Sequence, residues 1–262
     1  MKNLMIKFAF ALVVLTMSFV YVSAQEAATN SETEAAAGLD LYAVAEIFKD
    51  SETLEKFEQN LNNSANGINN LDLNEDGEID FIRVSEQVAG KTHFAVLQIT
   101  LGEDDFQDVA TIAVEEENAG NYNLQFQGDA AIYGANYYVV PANNNFGGWN
   151  IVRWLFSPNY RVYVSPYGYQ NYPRWWTIRR PVADNIYRTR TNVFVGRRNF
   201  AVSKTVKVKT VSKINYRPRT SSSAKTKTKV TRVSKTTTDS TNGNRVKNTK
   251  IKVVIRKKKL NP

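Results

Sequence analysis

The sequence predicts an α+β fold in which two N-terminal helices pack on an antiparallel β-meander. Three observations point there. An apolar stripe of helical period runs over 39–61, the period changes to two from residue 79, and the strand candidates are joined by connections too short for a parallel crossover. An aromatic segment of irregular and β character (142–200) and a basic, low-complexity tail (201–262) predicted to be disordered complete the chain.

The N-terminus reads as a segment outside the fold. Lys2 and Lys7 precede an uncharged, mostly apolar run from Phe8 to Val22, and Val22-Ser23-Ala24 stands before Gln25. That order is a cleavable secretory signal peptide over 1–24, its apolar run shorter than the roughly 20 residues a bilayer span requires. The expected location is therefore periplasm, cell surface or extracellular space, with no transmembrane segment in the mature chain. Residues 25–38 (QEAATNSETEAAAG) are small and polar and read as a disordered leader.

The acidic α+β domain is expected over 39–141. Leu39, Leu41, Val44, Ile47 and Phe48 line one helix, and Asp50 or Ser51 can cap a second through Leu54, Phe57 and Leu61. NNSANGINN (62–70) is turn chemistry. Four strands follow at Ile79–Val88, Thr92–Leu101, Phe106–Glu116 and Tyr122–Gln127, with Tyr137–Pro141 as a further one. In the fourth, Tyr122, Leu124 and Phe126 alternate with Asn123, Gln125 and Gln127, which predicts one covered face and one wet face.

Charge divides the chain into three. From Gln25 to Val140 the net charge is −19, from Pro141 to Phe200 it is +8, and from Ala201 to Pro262 it is +18. Such asymmetry speaks of partners and solubility. The absence of Cys excludes a disulfide framework and a thiolate metal site.

The sharpest motif is Asp72-Leu-Asn74-Glu-Asp76-Gly77-Glu78-Ile79-Asp80. Hard cations take six to eight oxygens at short range, and alternate residues of a tight loop can converge on one point. Asp72, Asn74, Asp76 and Asp80 would supply side-chain oxygens and Glu78 its carbonyl, while Gly77 permits the turn and Ile79 anchors the loop. This pattern resembles the EF-hand calcium loop. It departs at position 12, where Arg83 replaces the bidentate Glu, and its run into a strand looks more like the calcium loops of integrin-type propeller repeats or dockerin-like modules. The expected ion is Ca2+, structural and weakly held, with a Kd on the order of 10⁻⁴ to 10⁻³ M.

The 142–200 segment holds all four Trp, many Tyr and nine Arg. Aromatic faces interleaved with Arg can stack on sugars and pair with anions. Trp154, Arg161, Trp175, Trp176, Arg179 and Arg180 are the candidate polyanion- or glycan-binding residues. His93, the one histidine, reads as a core-edge or surface residue, because it has no metal partner of its own kind. The carboxylates at 103–105 and 115–117 sit at hairpin ends, where solvated charges are ordinary, and no nucleophile has an evident His partner.

The stretches NNLDLNEDGEIDFIRV, LQITLGEDDFQDVATIAVE, GDAAIYGANYYVVP and SPYGYQNYPRWW, behind a signal ending in Ser-Ala-Gln, are similar to a family of uncharacterised secreted proteins of Bacteroidota that carry a single EF-hand-like calcium loop. The resemblance spans roughly 40–180 and implies an envelope or secreted location. It brings no activity.

The expectation is an exported, non-enzymatic calcium-binding protein whose basic, aromatic C-terminal half meets anionic polysaccharide or lipopolysaccharide. Export argues against a nucleic-acid role. Two alternatives stand: an envelope-polymer hydrolase using carboxylates of 72–117, and a structural or assembly factor that self-associates through acidic domain and basic tail.

Overall fold

The computed structural model describes residues 38–209, 211 and 214–224, and the backbone of 229–241 and 244–256. The expected signal peptide, and the expected leader except Gly38, lie outside the described residues. Five helices and a six-stranded antiparallel sheet make the described part an α+β fold.

Helix α1 (Leu41–Asp50) begins where the Asp40 carboxylate accepts from the N–H groups of Tyr42 and Ala43. Helix α2 (Leu54–Asn62) is capped by Thr53, whose hydroxyl accepts from Lys56 N–H at 3.1 Å, and not by Asp50 or Ser51. Ser51 turns back instead, donating to the Ile47 carbonyl at 2.7 Å, so its hydroxyl serves the helix it ends. Phe48, fully buried, meets Phe57 of α2 and Phe126 edge-to-face at 5.3 and 5.5 Å. That ring holds both helices to the sheet.

The sheet comprises β1 (Ile82–Ala89), β2 (Thr92–Thr100), β3 (Phe106–Asn118), β4 (Asn121–Gly128), β5 (Tyr138–Pro141) and β6 (Phe200–Ser203), in chain order and antiparallel throughout. Strand β1 starts three residues later than its period-two pattern, because Ile79 N–H donates to the Arg179 carbonyl and Asp80 N–H to that of Leu71. Those donors are committed outside the sheet. The outer edge of β1 is covered by 163–165: Glu86 N–H donates to Tyr163 O, and Ser165 N–H to Val84 O, both at 2.9 Å. Such covering protects an edge from pairing with another chain.

Both faces of the sheet are covered, which corrects the wet face expected from alternation. Val84, Leu97, Ile112, Leu124 and Phe126 join the main core with α1 and α2. On the other face Phe94, Val96 and Ala113 pack against Val208 and Ile214. The described residues of the segment expected to open a disordered tail, 201–209, 211 and 214–224, therefore belong to the fold. Its docking uses few large apolar side chains. Gln125 Oε1 accepts from Lys207 and Val208 N–H at 2.8 and 2.9 Å, Gln107 Oε1 from Ser221 N–H, and Asp105 from Ser222 and Ser223 N–H. Side-chain oxygens on the sheet satisfy the crossing backbone, a mode that composition does not register. Farther on, β7 (Lys229–Thr241) and β8 (Asn244–Arg256) pair with each other. The remainder of the tail lies outside the described residues.

The connections carry α3 (Ala130–Tyr133), α4 (Asn150–Leu155) and α5 (Asp184–Val195). The last two fall in the stretch expected to be irregular. Helix α5 is anchored by Tyr187, whose buried hydroxyl accepts from Asp40 N–H at 2.7 Å and donates to the Ile68 carbonyl at 2.9 Å. The Tyr133 ring of α3 closes over Gly128, where an added Cβ would lie 2.5 Å from it. That ring stacks on Tyr137 and its hydroxyl holds the Leu39 carbonyl. Gly128→Ala is expected to destabilise the protein by about 1–3 kcal/mol in urea denaturation, since the ring cannot retreat without breaking both contacts.

Candidate functional site: an acidic loop against aromatic rings

The connection from α2 to β1 alternates anchors with polar oxygens. Ile68, Leu71, Leu73 and Ile79 are buried, and Asp72, Asn74, Asp76 and Glu78 lie between them. Gly77 takes φ 87° and Glu75 φ 57°, the left-handed conformations that curl the loop. Asp72 accepts from the N–H groups of Asp76 and Gly77 at 3.1 and 3.0 Å, and Asn74 Oδ1 from Asp76 N–H at 3.2 Å. Asp76 Oδ1 accepts from Glu78 N–H at 2.8 Å, and its Oδ2 from Asn74 Nδ2 at 2.8 Å. Asp80 closes the loop by accepting from Leu73 N–H at 2.6 Å.

Burial pushes the Asp80 carboxyl up to about 7, against the help of Leu73 N–H, and the nearby charges of Asp72 and Asp76 add to the rise. Among the described residues, no three His, Cys, Asp or Glu side chains are gathered closely enough to hold a metal ion. A calcium shell here would draw on the Asn74 amide and the Glu78 carbonyl as well as on carboxylates. The oxygens are of the hard kind that calcium takes.

Two polar stitches dock the aromatic segment on the loop. The Asn70 side chain pairs with Val182 as a backbone would, donating to its carbonyl at 3.0 Å and accepting its N–H at 2.8 Å. Arg179 donates from Nη2 to the Asn62 carbonyl at 3.2 Å, and its own carbonyl takes Ile79 N–H at 2.7 Å. Phe81, the residue after Asp80, then becomes the hub of an aromatic cluster. Trp176, Tyr167, Tyr172 and Trp175 surround it with ring centroids at 5.3, 5.9, 5.9 and 6.0 Å. Phe81 is buried, whereas Tyr172 and Trp175 are 39% and 41% exposed. The Arg179 guanidinium lies 5.2 Å from the Trp176 ring. Burial first, and then the charges of Asp80 and Asp76, raise the Tyr172 hydroxyl above its ordinary value, so ring and loop share one field.

Of the candidate binding residues, Trp175, Trp176 and Arg179 meet at this cluster, and Arg180 follows them, exposed. Trp154 does not join them. It sits on α4, partly buried against the main core and edge-on to Tyr160 at 4.9 Å, because the Ile151, Val152 and Leu155 stripe of that helix faces inward. Arg161 is exposed on the strand-like stretch beyond Tyr160.

Sequence reasoning missed the buried acids. Glu58 is 1% exposed and accepts from Val84 N–H at 2.6 Å, Ser165 Oγ at 3.0 Å and the Tyr163 hydroxyl at 3.2 Å. Burial, opposed by those hydrogen bonds and by the charge of Arg83, pushes its carboxyl up to about 7. Its place beside Phe57, in register with Leu54 and Leu61, was the available signal: a carboxylate on the inward face of a helix. His93 is buried and bonded through Nδ1 to Glu86 at 2.8 Å, with Phe156 and Tyr160 edge-on at 4.7 Å. It is packed within the fold, deeper than the core edge expected. Of the hairpin carboxylates, Asp105 holds Ser222 and Ser223, and Glu116 pairs with Lys91 at 2.9 Å.

The fold and site thus define an α+β domain with an acidic loop packed on an aromatic cluster. Comparison with known protein families, with curated proteins and with solved structures returns no match. Among the described residues no helix is long and apolar enough to cross a membrane.

Proposed function

We propose that this chain is an exported, non-enzymatic binding protein in which structural Ca2+ in the 72–80 loop supports recognition of an anionic polysaccharide by the adjoining aromatic cluster. The observation that supports it is the contact at Phe81: one residue beyond the acidic loop, and ringed by four aromatic side chains of which two are well exposed. Exposed rings stack on sugar faces, and Arg174 and Arg180, both exposed, flank the Trp pair for pairing with acidic groups. Alone, the loop opposes this: Asp80 and Asp76 act on the Tyr172 hydroxyl, and Asp72, Glu75 and Glu78 add acidic groups to the same loop. A divalent ion held by Asp72, Asn74, Asp76 and Asp80, with the Glu78 carbonyl, supplies the countercharge. Export, read from residues 1–24, places the loop where free calcium is high enough to fill a weak site.

Tryptophan fluorescence tests the reading directly. Calcium at millimolar concentration should perturb the emission of the Trp175–Trp176 pair, and alginate should bind with calcium and not with EDTA. Trp175→Ala should abolish alginate binding while leaving calcium uptake intact, and Asp76→Ala should lose both. Alginate binding that ignores EDTA, or a melting temperature and emission indifferent to calcium, would overturn the proposal.

A further inference from the structure

Arg83 stands where an EF-hand loop carries its bidentate glutamate, and the calcium loop gives it no task. The fold assigns it a different neighbourhood. Strand alternation turns Ile82 and Val84 to the main core, and Arg83 to the face crossed by 215–219. There it lines an open groove of about 660 Å3 between β1 and the 215–219 crossing, a volume in the range of small-ligand sites.

The groove is polar and cationic. Arg83, Arg217 and Arg219 line it, with Ser85, Gln87 and Asn215 among its neutral groups. The guanidinium carbons of Arg83 and Arg219 lie 5.7 and 4.9 Å from the centroid of one ring, Phe106, so two like charges are held near each other on an aromatic surface. Burial, and then the charge of Arg219, lower the pKa of Arg83, while Glu58 opposes the change. Among the described residues no carboxylate makes an ion pair with any of the three arginines. Among the described residues the one acid in the wall, Asp108, is already committed: Oδ1 accepts from Gln98 at 2.6 Å, and Oδ2 from the Tyr216 hydroxyl at 2.6 Å and Arg219 N–H at 2.8 Å. Arg83 Nη2 donates to the Ser165 carbonyl at 2.9 Å, but its Nε is buried without a hydrogen-bond partner. A buried donor left unpaired is costly, and a charged one more so.

We propose that this groove binds an oxyanion group, phosphate or carboxylate, carried on a polar ligand of sugar size and held between Arg83 and Arg219. Guanidinium forks match both anions bidentately, and a bound anion relieves the repulsion between the two cations. Ser85, Gln87 and Asn215 offer hydrogen bonds to hydroxyl groups of the ligand body. None of the rings around Phe81 lines this groove, and binding here does not require calcium.

Titration calorimetry on the full chain in EDTA tests it, with inorganic phosphate, glucose 6-phosphate, glucuronate and glucose as probes. At least one charged sugar should bind more tightly than inorganic phosphate, and glucose should not bind. Preference for glucose 6-phosphate or for glucuronate identifies the anion as phosphate or carboxylate. Arg219→Gln, an exposed side chain whose backbone contact to Asp108 survives, should weaken the preferred sugar at least tenfold without moving the melting temperature. Arg83→Gln should do the same, and Arg219→Gln keeps the test valid if that half-buried change impairs folding. Trp175→Ala should leave the affinity unchanged. Glucose binding as tight as the charged sugars, no binding by any probe, or full affinity in Arg219→Gln would overturn the proposal.

Discussion

Asn62→Ala should cost about 4 kcal/mol in chemical denaturation, because it strips partners from several buried backbone and side-chain groups at once. Asn62 is 2% exposed. Its Nδ2 donates to the carbonyls of Glu58 and Ile82 at 2.9 and 2.7 Å, and its Oδ1 accepts from Ile82 N–H and Asn69 Nδ2 at 2.9 and 3.1 Å. The amide thus pairs the first residue of β1 at both backbone groups. Asn69 continues the chain of contacts, donating to the Asp80 carbonyl at 2.8 Å, so the damage should spread into the acidic loop. Asn62→Asp is the informative control. It keeps the shape but turns an oxygen toward two carbonyl oxygens, and should be at least as damaging as Ala. A loss below about 1 kcal/mol for either variant would show that the backbone of β1 finds other partners.

Glu58→Gln should stabilise the protein at pH 8 by about 3 kcal/mol and leave it unchanged near pH 4. Burial raises the folded-state pKa of Glu58 to about 7 from an ordinary value of 4.5. The folded state therefore holds this proton where the unfolded state has lost it. Stability from the group is fully present below about pH 4.5, declines as pH rises toward 7, and is level above that. Glutamine imitates the protonated acid: its oxygen can take Val84 N–H, while its amine donates to the Ser165 and Tyr163 hydroxyl oxygens. The wild-type minus variant stability, measured by denaturation from pH 4 to 8, should slope downward across that window. A flat difference would mean that Glu58 is ionised without penalty in the fold.

The acidic loop illustrates how legibility divides. Its residue types, their spacing and the turn at Gly77 follow from local chemistry, since alternate oxygens and a left-handed glycine act over fewer than ten residues. The aromatic platform was legible only as a list of rings. That Trp175, Trp176 and Arg179 gather while Trp154 turns inward depends on which residues each packs against, and Phe81 is distant in sequence from all of them. Asn70 carries no hydrophobic signal, yet its amide docks Val182.

Helices α1 and α2, the first five strands and their antiparallel order were determined by the sequence alone, because periodicity and short connections are properties of neighbours along the chain. Tertiary structure alone decided the sixth strand, the covering of the second face and the burial of Glu86 and Asp108. Those depend on hydrogen bonds between side chains and backbone far apart in sequence, as when Gln125 receives Lys207 and Val208. A basic, serine-rich segment looks solvated when judged by its own composition. It becomes part of the fold when buried oxygens across the sheet satisfy its N–H groups.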